Sequence, residues 1–265
     1  MRLVLCGLAL LVGAGGVSPR AQPPAWVTLK GQVVLPKGVA IPARKPVAVG
    51  QNCPLGPKCN KNAVLDETLI VNPESRGIKN VVVWLRPNNM NPKAGFAAKE
   101  IHPADAKRKP RNLVIDQPCC MFEPHLLAAR AGDALVVKNS AAVAHNFFWD
   151  SANNGAVNVN IPANGQHKFP NPLAAEPAAI PFKCAIHPWM GGYARVFDHP
   201  YFAVTDKDGK FEIKDAPAGN YRVVYWHEKV GFLGGKAGRF GTPVVIAAGK
   251  NNTMEMKPTD FDPTK

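Results

Sequence analysis

Proline and glycine punctuate this chain so often, 26 and 23 times in 265 residues, that few long runs of Ala, Leu, Glu and Lys remain for helices. Short segments of strand character lie between the breaks. WVTLKGQVVLP (26–36) alternates as a strand and stops at Pro36-Lys37-Gly38. ETLIVNP and IKNVVVWLRP read as two strands joined by a turn at 74–77, and RNLVIDQ starts another. A strand over 125–130, a turn at Ala131-Gly132-Asp133, the strand ALVVKN and the segment VAHNFFW come next. IPFKC and YARVF then bracket a short loop. Almost every legible element is a strand, which predicts an all-β chain with two β-sandwiches in tandem.

The pattern changes near Asp198. YFAVTDKDGKFEIKDAPAGNYRVVYWHEK is strand, Asp-Gly turn, strand, Pro-Ala-Gly turn and strand, and GTPVVIAAGKNNTMEMKP adds two short strands around a further turn. The expected partition is a first sandwich over 22–197, carrying a Pro- and Lys-rich surface excursion over 88–111, and a smaller one over 198–265. Residues 1–21 read as a secretory signal, with Arg2 ahead of an apolar stretch too short to span a bilayer comfortably. The expected location is therefore periplasmic or secreted, with no membrane span after cleavage.

An exported chain makes its cysteines informative. Beyond Cys6 there are five, so at least one thiol lacks an intramolecular partner. Cys53 and Cys59 share a turn-rich loop, whereas Cys119 and Cys120 are adjacent and poorly placed to bond each other. The simplest arithmetic has Cys119 and Cys120 each reaching back to the first pair, in either connectivity, and leaves Cys184 free. The formal charge of +13 comes from lysines spread along the chain. It suits a well-solvated basic protein and acidic protein partners. Nucleic-acid binding is not expected, because there is neither a basic helix nor interleaved aromatic and basic residues.

The free thiol stands three residues before His187, which stands three before Met190, in KCAIHPWM. A copper electron-transfer centre uses one thiolate and two imidazoles in a rough triangle, with a weak thioether above. One loop can give Cys184, His187 and Met190, but the second imidazole has to come from a neighbouring strand end. His145 sits 39 residues upstream, after the strand-turn-strand unit GDALVVKNSAAVA. Asn146 beside it has an amide that can bond across to the Cys loop. Phe147, Phe148, Trp149 and Trp189 are candidates to exclude water. One Cys, two His and a Met are a poor set for zinc.

GDALVVKNSAAVAHN followed by CAIHPWM resembles the cupredoxins, the blue copper proteins, over about residues 112–197. The tight Cys-x-x-His-Pro-x-Met loop is similar to that of their amicyanin-like members, and the wider arrangement resembles the methylamine-utilisation or plastocyanin-like exported proteins. The resemblance implies a Greek-key sandwich binding one mononuclear type 1 copper ion through His145, Cys184, His187 and Met190, with Asn146 supporting them. It also implies an exposed edge of His187 as the electron exit, redox proteins as partners, and an electron carrier rather than an enzyme. The 198–265 tail resembles the carboxypeptidase regulatory-like, transthyretin-like sandwich, which speaks to fold and not activity. A copper store or courier and a structural protein with an incidental site are the competing functions.

The other motifs read as structure. His125 in FEPH is expected to be a strand-end residue with a satisfied ring, and His227-Glu228 a structural pair rather than a general base. Asp206 to Gly209, DKDG, lacks the acidic residue a calcium loop requires downstream and reads as a hairpin turn. His102, His167 and His199 have no partner at metal-binding spacing.

Overall fold

The computed structural model describes residues 25–49, 53, 64–91 and 93–263. The expected signal over 1–21 lies outside them. The strands are β1 (Trp26–Val34), β2 (Val82–Pro87), β3 (Asn112–Asp116), β4 (Leu126–Arg130), β5 (Ala134–Lys138), β6 (His145–Ser151), β7 (Gly155–Ile161), β8 (Gln166–Lys168), β9 (Ile180–Lys183) and β10 (Gly191–Phe197). They continue with β11 (Phe202–Val204), β12 (Lys210–Pro217), β13 (Gly219–His227), β14 (Gly231–Phe232), β15 (Thr242–Ile246), β16 (Thr253–Glu255) and β17 (Thr259–Asp260). The longest helical piece among the described residues is the six-residue 3-10 segment Gly235–Phe240. The chain is all-β, as its punctuation predicts.

Two sandwiches form. In the first, a three-stranded sheet ordered β3-β5-β8 faces a five-stranded sheet ordered β4-β10-β9-β6-β7. Ile115, Leu135 and Val137 from the smaller sheet share one core with Phe147, Trp149, Phe182 and Val196 from the larger. In the second, β12-β1-β16, with β17 also on β1, faces β11-β2-β13-β14, with β15 on β13. Its core holds Leu29, Val83, Leu85, Phe211, Ile213 and Tyr221.

This pairing corrects the expected partition. β1 runs antiparallel to β12 from Trp26↔Pro217 to Gln32↔Lys210, and β2 lies between β11 and β13. Residues 26–34 and 82–87, assigned from sequence to the first sandwich, are strands of the second. Sequence signals for hairpins report neighbours along the chain, whereas β1 and β12 are joined by hydrogen bonds across more than half of it. The segment over 88–111 is also less of a surface excursion than expected. Phe96 packs on Tyr201 and Tyr221 with ring centroids 5.0 and 5.7 Å away, and Asp105 pairs with Arg130 at 2.9 Å.

Between the sandwiches lies an apolar seam of Val82, Trp84, Leu126, Phe197 and Val224. β2 supplies both the second core and the seam through its alternation, because Val83 and Leu85 point into the second sandwich while Val82 and Trp84 face the first. A disulfide joins Cys53 to Cys120, and Cys119 is also disulfide-bonded. Cys59 lies outside the described residues. Cys184 is free and buried.

Candidate metal centre

Strand order places the candidate donors. β9 and β10 are antiparallel, pairing Lys183 with Gly191, so residues 184–190 form the loop at one end of that hairpin. β6 runs antiparallel to β9 on its other side, with Phe148 opposite Lys183, which brings the start of β6 level with the loop. His145 is the first residue of β6. The turn delivering it is pinned by Asn139, fully buried, whose Nδ2 donates to the carbonyls of Val143, Ile161 and Pro162 at 2.8, 3.0 and 3.0 Å. Sequence reading missed Asn139. Its one signal is an Asn where a strand ends, which is common in any turn.

His145, Cys184 and His187 converge, with ligand atoms all within 4.8 Å of one another and every side chain buried. The two Nδ1 atoms are 2.9 Å apart, and the Cys184 Sγ is 3.6 Å from the Nδ1 of His187. A trigonal first-row ion with bonds of roughly 2.0 Å to nitrogen and 2.3 Å to sulfur sets nitrogen–sulfur edges of about 3.7 Å and nitrogen–nitrogen edges of about 3.5 Å. The thiol–imidazole edge fits as it stands. The imidazole pair, at hydrogen-bond length, would open by about half an ångström. Burial pushes His145 down to about 4, with the neighbouring His187 ring adding to the effect, so it presents a neutral nitrogen. Its Nε2 is buried without a partner, which leaves the Nδ1 side as the ring's polar contact.

Asn146 links the strand to the loop. Its backbone N–H donates to the Cys184 Sγ at 3.2 Å, and its Oδ1 accepts from the Ala185 N–H at 3.2 Å. Its Nδ2 donates to the Oδ1 atoms of Asn158 and Asn160, both at 2.9 Å. Gln117, fully buried and not singled out in the sequence, donates from Nε2 to the Asn146 carbonyl at 3.0 Å. Met190 is buried in the first core and closes the loop, its carbonyl accepting from the Cys184 N–H at 3.1 Å and its N–H donating to the His187 carbonyl at 2.9 Å. Gly192 follows because no larger residue fits. A Cβ there would lie 2.4 Å from the His125 carbonyl and 2.5 Å from the Phe182 ring.

The exposed His187 edge expected from the resemblance is not present: the residue is only 3% exposed. Trp189 packs on its ring at 5.1 Å between centroids and donates from Nε1 to the Cys120 carbonyl at 3.1 Å. The disulfide-bearing segment thus closes over this side of the loop, a consequence of the extra cysteines. Phe147 and Trp149 are fully buried in the core, whereas Phe148 is half-buried beneath the Lys183 ammonium at 5.1 Å. His125 takes no place in the donor cluster. Its Nε2 pairs with Glu228 of the second sandwich and its Nδ1 lies 3.7 Å from Glu67, so both ring nitrogens face carboxylates.

No protein-family model and no curated protein matches the chain. Among solved structures, an oxidised amicyanin variant is similar at 21% identity, covering 35% of this chain and 88% of its own, with a TM-score of 0.30. Cu(I) forms of two other amicyanin variants give 22% identity over 37% of this chain and 93% of theirs at a TM-score of 0.30, and 19% over 43% and 98% at 0.29. Likeness of this size covers part of the chain and assigns it no chemistry. The donor geometry has to do that.

Proposed function

We propose that this chain is an exported type 1 copper protein that passes single electrons between protein partners. The observation that carries the reading is the convergence of one thiol and two imidazole Nδ1 atoms in a buried pocket made by a strand end and a hairpin loop. Bound copper supplies a Cu(II)/Cu(I) couple at that point. Cys184 would hold the ion as thiolate and His145 and His187 as imidazoles, and Met190, at the end of the same loop, would supply a thioether. A soft thiolate and thioether favour copper over zinc, and four protein donors leave no coordination place for a substrate.

The chain's own residues hold that geometry. Asn146 fixes the thiol by donating to sulfur and ties the loop to β6, so little has to move when the charge at the centre changes. The Trp189 ring packed on His187 extends the buried ligand towards the partly exposed face. The spread of lysines in a chain of formal charge +13 suits acidic partners. The Cys53–Cys120 disulfide is in keeping with an oxidising compartment.

The test is to load the purified protein with Cu(II) and record its visible spectrum. An intense thiolate-to-copper band that disappears in Cys184→Ser supports the carrier, and a colourless loaded protein overturns it. Reversible voltammetry with slow copper loss to a chelator separates a carrier from a copper courier.

A further inference from the structure

Away from the donor cluster, a cavity of about 770 Å³ opens beside the seam between the two sandwiches. Its size falls within the range of small-molecule sites. β2 and β13 contribute Trp84 and Trp226 to its wall, Phe232 comes from β14, and Phe197 comes from β10. Two of these flat side chains flank a cation. Arg195 of β10 lies over the Trp84 and Phe197 rings at 5.3 and 5.1 Å and donates from one terminal nitrogen to the Glu176 carbonyl at 2.7 Å. Its Nε is buried with no hydrogen-bond partner.

A guanidinium with a buried Nε is ordinarily matched by a carboxylate. None of the ion pairs among the described residues involves Arg195, nor Arg239 and Lys93, which also line the cavity. Glu176 lines it too, but its carboxylate is taken up by the Ser151 hydroxyl at 2.7 Å and the backbone N–H groups of Ala152 and Asn153, both at 3.1 Å. Asp198 is exposed and is the one lining carboxylate without such partners. His199 adds no charge, since burial, together with Arg130 and Arg195 nearby, holds it down at about 3. The lining therefore carries a net positive charge around aromatic walls.

We propose that this cavity binds a small aromatic carboxylate, its anionic group facing Arg195 and its ring lying against Trp84, Trp226 and Phe232. The ring replaces water on apolar walls, and the carboxylate gives the guanidinium a direct partner, since it feels the charges of Glu176 and Asp198 but forms an ion pair with neither among the described residues. The proposal does not depend on the copper reading, because no donor residue lines the cavity.

Naphthalene-2-carboxylate is the probe, titrated into the full-length protein and followed by tryptophan fluorescence and calorimetry. Saturable single-site binding is expected, with the neutral naphthalene-2-carboxamide weaker by about tenfold or more and acetate not binding over the same range. Arg195→Gln is expected to weaken the carboxylate by about tenfold and bring it level with the amide. Because that change also removes the bond to Glu176, Ala178→Trp, at an exposed lining position, provides an independent variant that fills the cavity and abolishes binding. Absence of saturable binding, equal affinity for acid and amide, or full binding by Ala178→Trp overturns the proposal.

Discussion

Asn146, in β6, touches β7 and the loop through one side chain and its backbone N–H, so it controls where the thiol sits without being a donor itself. Asn146→Ala leaves Asn158, Asn160 and the Ala185 N–H without that partner, at a cost of about 2 kcal/mol. The three donors stay, so the thiolate-to-copper band should survive while copper escapes faster to a chelator. A variant that keeps wild-type chelator kinetics would remove Asn146 from the role given to it. Gly192→Ala acts differently, by overpacking against the His125 carbonyl and the Phe182 ring, and should lower the urea unfolding midpoint by about 1–3 kcal/mol equivalent. The convergence of His145, Cys184 and His187 was legible in the sequence because a Cys and two His with those spacings form a chemically unusual set. Gln117 and Asn139 were not, because a polar residue at a strand end looks the same whether it ends up buried or wet. The burial of His187 was equally hidden, since the Trp189 ring and the disulfide segment that cover it meet only in three dimensions.

The run VVVWL over 81–85, which leads into β2, shows where element-level reading succeeds and where it stops. An unbroken apolar stretch fits a strand buried on both faces, and residues 82–85 are indeed covered on both. Nothing in the run says which two bodies cover it, so its assignment to the first sandwich failed. The hairpin grammar of the tail was correct locally, yet β12 and β13 rely on β1 and β2 from the far end of the chain. A fragment comprising residues 198–265 should therefore remain unfolded by circular dichroism, because β12 and β13 would each lose a paired neighbour and half of the core would be missing. A cooperative thermal transition from that fragment would restore the original partition. Within the whole chain, Leu85→Ala should cost about 2–5 kcal/mol as a fully buried core truncation, read as a fall in the urea midpoint.

At the scale of the whole molecule, the apolar seam joins the two sandwiches, and the partly buried pair of His125 with Glu228 also links them. Burial alone would push His125 down. The Glu228 hydrogen bond, and the charges of Glu228 and Glu67, outweigh both burial and the repulsion from Lys79, so the ring titrates above its ordinary 6.5. A folded-state value above the unfolded one adds stability that is fully present below pH 6.5 and is lost as pH rises through the folded value. Other histidines pull the opposite way. His145 at about 4, His199 at about 3 and His227 at about 4 are buried neutral, His227 partly because His125 lies nearby, so they withdraw stability as pH falls below 6.5. The raw pH profile therefore mixes both signs, and the His125 contribution has to be isolated by difference. Glu228→Gln keeps the shape at that position and removes the charge that holds the proton. Urea unfolding of both proteins at a series of pH values should show the wild-type advantage at its largest near pH 6 and shrinking in alkaline buffer. An advantage that stays flat, or that grows with pH, would mean the contact joins the sandwiches as a neutral hydrogen bond and not as an ion pair.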